Sequence, residues 1–272
     1  MNREQLIRSV QQHFDGGAFA TDLARRVAWR TESDTGTVPP ELRTYLTEEM
    51  VPGLQALGFD CQVIDNPEPH GGPLLLARRV EDPALPTVLT YGHGDVVNGQ
   101  ESGWREGLSP WALTQEGDRW YGRGTADNKG QHTVVLTALA HTLQARGGQL
   151  GYNITVLLEM GEEAGSPGLA RFCADHREAL HADLFVASDG PRINVERPML
   201  FLGSRGALNF SLTVRSRDKA YHSGNWGGVL ANPATVLSHA LASMVDAHGR
   251  ILVPGLLPAR VPDKLRNALK DV

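Results

Sequence analysis

The chain has 272 residues, 41% of them hydrophobic and 21% charged, and a formal net charge of −5; this suits one large or two modest cores and excludes intrinsic disorder. No Lys/Arg-rich block is present to meet a phosphate backbone, so nucleic acid is not an expected partner. No apolar stretch has the length of a bilayer crossing, the N-terminus lacks a signal-peptide core, and the two cysteines lie far apart; membrane insertion, a disulfide framework and a thiolate metal site are not expected, and the chain reads as cytoplasmic.

Leu6, Ile7, Val10 and Phe14 share one helical face, and Asp15-Gly16-Gly17 stops the run. A second helical pattern reaches about Arg30. Pro39-Pro40 opens a third, with Leu42, Leu46, Met50, Leu54 and Leu57 on its apolar side and Gly58 at its end. The pattern then changes to short apolar runs over 59–64, 73–80, 87–91, 153–158 and 184–187, each a predicted strand. Helical patterns intervene at 131–144 and 166–180, the latter placing Cys173 as a buried free thiol. The alternation predicts an α/β domain over residues 1–198, a sheet flanked by helices. From residue 199 a new set begins, with an alternating strand over 207–214 and a helix from Pro233 to about Ala247. It predicts a second, smaller α+β domain over 199–272 that lacks a finishing strand.

Ligands of α/β sheets usually sit beyond the carboxyl ends of strands, and the acids and one histidine of interest lie there. Thr87–Tyr91 runs into Gly92-His93-Gly94-Asp95. A carboxylate in the position of Asp95 can accept the far N–H of a metal-ligating imidazole, fixing its tautomer; alone, the same residues also describe an ordinary loop. Asp127, in Tyr121-Gly122-Arg123-Gly124-Thr125-Ala126-Asp127-Asn128-Lys129-Gly130, stands before a helix, where it can bridge two cations or simply cap the helix. Glu162-Glu163 follow the apolar strand over 153–158. One of two adjacent acids can ligate a metal while the other serves as general base, although exposed acidic turns look the same. Glu159 alternates within the strand and reads as structural. The fourth segment is again an apolar strand, over 184–187, that runs into Ser188-Asp189-Gly190. Four acid-bearing segments, at the carboxyl ends of strands or in the loops beyond, make a site more economical than four unrelated loops.

The segments GHGDVV, YGRGTADNKG, LLEMGEEAGS, ASDGP and AYHSGNWGGV, spanning about Thr87 to Met244, resemble the M20 family of metallopeptidases in that family's order, and are most similar to its carnosinase-like dipeptidase branch. The resemblance implies a zinc-peptidase type catalytic domain with a mixed sheet, and a lid domain that also dimerises. It implies two divalent ions, zinc first with manganese or cobalt as alternatives. His93 would sit on one ion, Asp127 bridge both, Glu163 hold the other and Asp189 complete the first. Asp95 would orient His93 and Glu162 would be the general base. His222, otherwise a polar loop residue, would help hold the oxyanion in the neighbouring subunit's site, implying a homodimer through the lid.

The family also supplies a last histidine ligand to the Glu163 ion. Neither His239 nor His248 resembles it, and both read as helix-surface residues. The sequence therefore reads as the N-terminal part of such an enzyme, with a three-ligand site at His93, Asp127 and Asp189 and a partial second site. The expected reaction is hydrolysis of the amide bond of a dipeptide or short peptide. Its alternatives are an N-acyl-amino-acid deacylase of the same clan and an inactive fragment that only binds or dimerises.

Overall fold

Asn2 starts the first helix, α1 (Arg3–Asp15), through a capping box: its side chain accepts the Gln5 N–H while the Gln5 side chain accepts the Asn2 N–H. Gly17, at φ 82°, turns the chain into α2 (Ala18–Val27). Pro40 opens the third helical stretch as α3 (Pro40–Thr44), which continues through a π-helical turn, Tyr45–Met50, into α4 (Val51–Ala56). Leu42, Leu46, Met50 and Leu54 are all buried along it. The computed structural model describes residues 2–34, 36–190, 192, 195–197, 199–201, 206–257 and 261–271.

A five-stranded sheet follows, formed by β1 (Asp60–Ile64), β2 (Leu74–Arg79), β3 (Thr87–His93), β6 (Asn153–Glu159) and β7 (Leu184–Ala187), in the order β1-β2-β6-β3-β7. β1, β2 and β6 pair antiparallel, whereas β6, β3 and β7 run parallel, so the sheet is mixed. A short antiparallel hairpin, β4 (Thr114–Glu116) and β5 (Arg119–Tyr121), lies outside it. Every residue of β6 is buried, as a strand covered on both faces requires. Ile154, Val156 and Leu158 pack in a cluster with Tyr45, Leu54, Leu136 and Leu139. Leu157 joins Leu74 and Phe172 in a second cluster. Truncating a fully buried side chain such as Leu54 to alanine removes about 2–5 kcal/mol of stability.

The parallel register sets His93 opposite Glu159, so β3, β6 and β7 release their carboxyl ends at one edge of the sheet. The long helix α5 (Lys129–Ala145) shares the larger core cluster through Leu136, Leu139 and Leu143. The helix expected over 166–180 is shorter, α6 (Leu169–Asp175), and gives way to turns. Cys173 within it is a free thiol but half-buried rather than buried. At the other side of β3, β7 is an edge: its four residues are all exposed, Phe185 at 59%, and an apolar cavity of about 690 Å³ opens along its face between Leu89, Leu157 and Leu180.

The chain divides into two compact units, Met1–Met199 and Leu200–Val272. The second contains α7 (Ser223–Trp226), α8 (Pro233–Met244) and α9 (Asp263–Ala268). The strand expected over 207–214 does not form. Its residues join no ladder among the described residues, and Leu208 and Phe210 are exposed; an alternating pattern alone cannot satisfy backbone N–H and C=O groups. Among the described residues no helix is long and apolar enough to cross a membrane.

Candidate metal centre

His93 closes β3 with its imidazole buried. The two glycines around it are there because the chain has no room for side chains. A Cβ on Gly94 would lie 2.6 Å from Tyr45 Cε1 and 2.7 Å from Met160 Sδ, and one on Gly92 would lie 2.8 Å from Asn128 Oδ1. On the Nδ1 side the ring meets only acceptors, the Asp95 main-chain carbonyl at 3.1 Å and the Asp95 carboxylate at 3.4 Å. A hydrogen therefore belongs on Nδ1, and in the neutral ring the Nε2 lone pair is left for a cation.

That Nε2 faces a ring of acids: Asp127 at 2.9 Å, Asp189 at 3.9 Å and Glu162 at 3.9 Å. Ligand atoms of His93, Asp127 and Asp189 all lie within 4.8 Å of one another, making the one group of three or more such residues among those described. One imidazole nitrogen and two carboxylates form a mixed donor set that suits zinc and accommodates manganese. Asp127 does not cap α5, which has no side-chain cap hydrogen bond; it is turned to His93 instead. Glu163, expected as a ligand to a second ion, stands outside this group, in the same short turn as Glu162, Glu162–Ala164.

The electrostatics follow from crowding. Burial works against the imidazolium, but Asp95, Asp189 and Asp127 together outweigh it and hold the His93 pKa up at about 9. Burial raises the pKa of Glu162, helped by Asp189, Asp95 and Asp127 and opposed by His93. Glu163 is raised by burial and by Asp127. Glu159 is buried, and its Oε1 accepts the Tyr91 hydroxyl at 2.5 Å and the Ser166 hydroxyl at 3.1 Å, in keeping with a structural part.

Two residues that support this centre carry no motif signal as ligands or acids. Asn128 is buried, and its Oδ1 accepts the His93 N–H at 3.3 Å while its Nδ2 donates to the Ser188 carbonyl at 2.7 Å and Asp189 Oδ1 at 3.2 Å. It thereby ties β3 to the segment beyond β7. Its place beside Asp127 was the available hint. Ser33 donates its hydroxyl to Asp95 Oδ2 at 2.6 Å, and no spacing announces it. Lys129, fully buried, donates from Nζ to the Trp29 carbonyl at 2.7 Å, and burial pulls its pKa down to about 7.

His222 belongs to the second unit, at the N-cap of α7, where its Nδ1 accepts the Gly224 N–H at 3.1 Å. His239, on α8, and His248, after it, are exposed there.

Residues 89–248 match the family model described as peptidase family M20/M25/M40. The chain is 35% identical over 273 residues to the Beta-Ala-His dipeptidase of Mus musculus, covering 95% of this chain and 54% of that protein. It is 31% identical over 261 residues to the Cys-Gly metallodipeptidase of Candida albicans, covering 90% and 53%. Among solved structures it resembles human carnosine dipeptidase 1, with a TM-score of 0.71 and 29% identity over 99% of this chain and 58% of that one. The chain spans about half the length of the curated relatives it matches.

Proposed function

The chain belongs to peptidase family M20/M25/M40, and from that membership we propose that it carries the cation-binding and proton-transfer residues of a hydrolase for the amide bond of a dipeptide or short peptide. The observation that supports this most directly is the convergence of Asp127, Asp189 and Glu162 on the single nitrogen Nε2 of His93. The relatives are named as dipeptidases, which favours dipeptides over N-acyl amino acids.

In this reading His93, Asp127 and Asp189 hold one divalent ion, and Asp127 with Glu163 begins the site of a second. When bound, such ions supply Lewis acidity, polarising the scissile carbonyl and making water a nucleophile near neutral pH; zinc is proposed first, manganese or cobalt as alternatives. Asp95 holds the imidazole in the tautomer that presents Nε2. Glu162 accepts the proton of the attacking water and returns it to the departing amine. A carboxylate with a raised pKa serves both directions better than a strongly acidic one. With Nδ1 of His222 occupied as an acceptor, its neutral ring carries the hydrogen on Nε2 and can donate to the developing oxyanion. We propose that it does so in the site of a second copy, which makes the working form a homodimer through the second unit. The two free cysteines suit the reducing cytoplasm.

Hydrolysis of β-Ala-His, Cys-Gly and a panel of N-acyl amino acids by the zinc- or manganese-loaded chain tests the reading. Glu162→Gln is expected to lower turnover by about 10²–10⁴-fold with metal content unchanged. Equal turnover in that variant removes Glu162 from its role, and preference for the acyl substrates overturns the dipeptidase reading.

A further inference from the structure

Asp95 has more partners than orienting an imidazole requires. Its side chain is fully buried. Oδ1 accepts the Glu162 N–H at 3.2 Å and lies 3.4 Å from His93 Nδ1, while Oδ2 accepts the Glu163 N–H at 3.0 Å and the Ser33 hydroxyl at 2.6 Å. One carboxylate thus joins the end of β3 to the turn that bears both glutamates. We infer that Ser33 is a positioning residue for this centre: through Asp95 it sets the register between the His93 imidazole and the Glu162-Glu163 turn.

The backbone around Ser33 is built to aim that hydroxyl. Ser33 N–H donates to the Val96 carbonyl at 3.2 Å, Val96 N–H to the Thr31 carbonyl at 2.9 Å, and the Thr31 hydroxyl to the Gly94 carbonyl at 2.6 Å. Glu32 bridges Val96 in parallel pairing, and its carboxylate accepts the Gly99 N–H at 2.7 Å. The segment from Thr31 to Ser33 is therefore laced to both sides of Asp95, and Ser33 Oγ is delivered to the carboxylate from a fixed main chain. A carboxylate pivots about its Cβ–Cγ bond. With two amide donors and one hydroxyl spread over its oxygens, it has one orientation that satisfies all of them; without the hydroxyl, Oδ2 keeps a single donor in a buried place, where an unfilled acceptor is costly.

The inference rests on the reading of His93 as ligand and Glu162 as base, but part of its test does not. Ser33→Ala, Ser33→Thr and Ser33→Cys are compared with the wild-type chain for cobalt(II) affinity by titration, for amide hydrogen exchange at Glu162 and Glu163, and for melting temperature. Ser33→Ala is expected to bind cobalt about tenfold more weakly, as outer partners of ligating histidines do, and to speed exchange of those two amides about tenfold. Its melting temperature should fall by only a few degrees, the cost of one lost hydrogen bond to a buried carboxylate. Ser33→Thr should restore both readouts, and Ser33→Cys, a weaker donor of similar size, should fall between them. Unchanged exchange at Glu162 and Glu163 in Ser33→Ala overturns the inference, as does loss of equal size in Ser33→Thr. Should Ser33→Ala not fold, Ser33→Cys exchanging like wild type overturns it. A wild-type chain that takes up no cobalt counts against the metal-centre reading alone, because exchange still decides the role of Ser33.

Discussion

Nε2 of His93 lies 2.9 Å from Oδ1 of Asp127, although 34 residues separate them along the chain. In the metal-free chain that contact is an ion pair, because the surrounding acids hold the imidazole pKa at about 9. Proton and cation then compete for one nitrogen. Between pH 6.5 and 8.5, affinity for zinc or cobalt is expected to rise about tenfold per pH unit, with one proton released per ion bound. The stability of the metal-free chain should run the other way. A raised imidazole pKa stabilises the fold fully below the unfolded value of about 6.5, and that contribution is lost as pH climbs through about 9. Cobalt titrations and urea midpoints across this range check both slopes, and His93→Gln should flatten them.

Asp95→Asn keeps the shape of the hub but removes its charge and sets an NH2 group against main-chain N–H donors. Metal affinity is expected to fall about 10–100-fold. The His93 pKa should fall as well, since Asp95 is among the groups that raise it. NMR titration of the His93 ring in the metal-free variant reads this directly, and an unmoved pKa would show that the main-chain carbonyl of Asp95 does the orienting.

Away from the centre, Glu49 is a buried carboxylate whose side chain is 5% exposed. It lies 2.7 Å from Arg25 Nε and 3.1 Å from Arg26 Nε, and Arg26 is itself 7% exposed. Arg26 also donates to the Thr133 hydroxyl at 2.7 Å, so the pair fastens α2 to the π-helical turn and to α5. Glu49→Ala strands the Arg26 guanidinium and should cost about 3–5 kcal/mol in urea unfolding. Arg25→Ala removes the half-exposed partner and should cost about 0–1 kcal/mol. Similar losses for both variants would argue against the buried charge as the cause.

His93, Asp95, Glu162, Glu163 and Asp189 were legible as candidates because each follows an apolar strand, and parallel strands carry their ends to a common edge, whereas Asp127 stood out only by its place before a helix. Their proposed roles came from the resemblance, since each segment alone also read as an ordinary loop. Ser33 was not legible: a loop serine 62 residues from its acceptor has no periodicity to betray it. The π-helical turn at Tyr45–Met50 was hidden for a related reason, since the spacing of Leu42, Leu46, Met50 and Leu54 suits an ordinary helix equally well. The β4–β5 hairpin is short and polar, Thr-Gln-Glu against Arg-Trp-Tyr, and offers no apolar run. The segment over 207–214 failed in the opposite sense, because alternation describes a face and says nothing about a neighbour to pair with.

Among the described residues β7 is hydrogen-bonded on one side only, to β3, yet the segment it ends in carries Asp189. Edge strands open more readily than central ones. Whatever the Asp189 carboxylate grips together with His93 and Asp127 therefore also closes a seam of the sheet, and occupancy and closure become one equilibrium. A cation held there would act as a clasp on one hem of the sheet, and amide exchange along Leu184–Ala187 would gauge how full the site is.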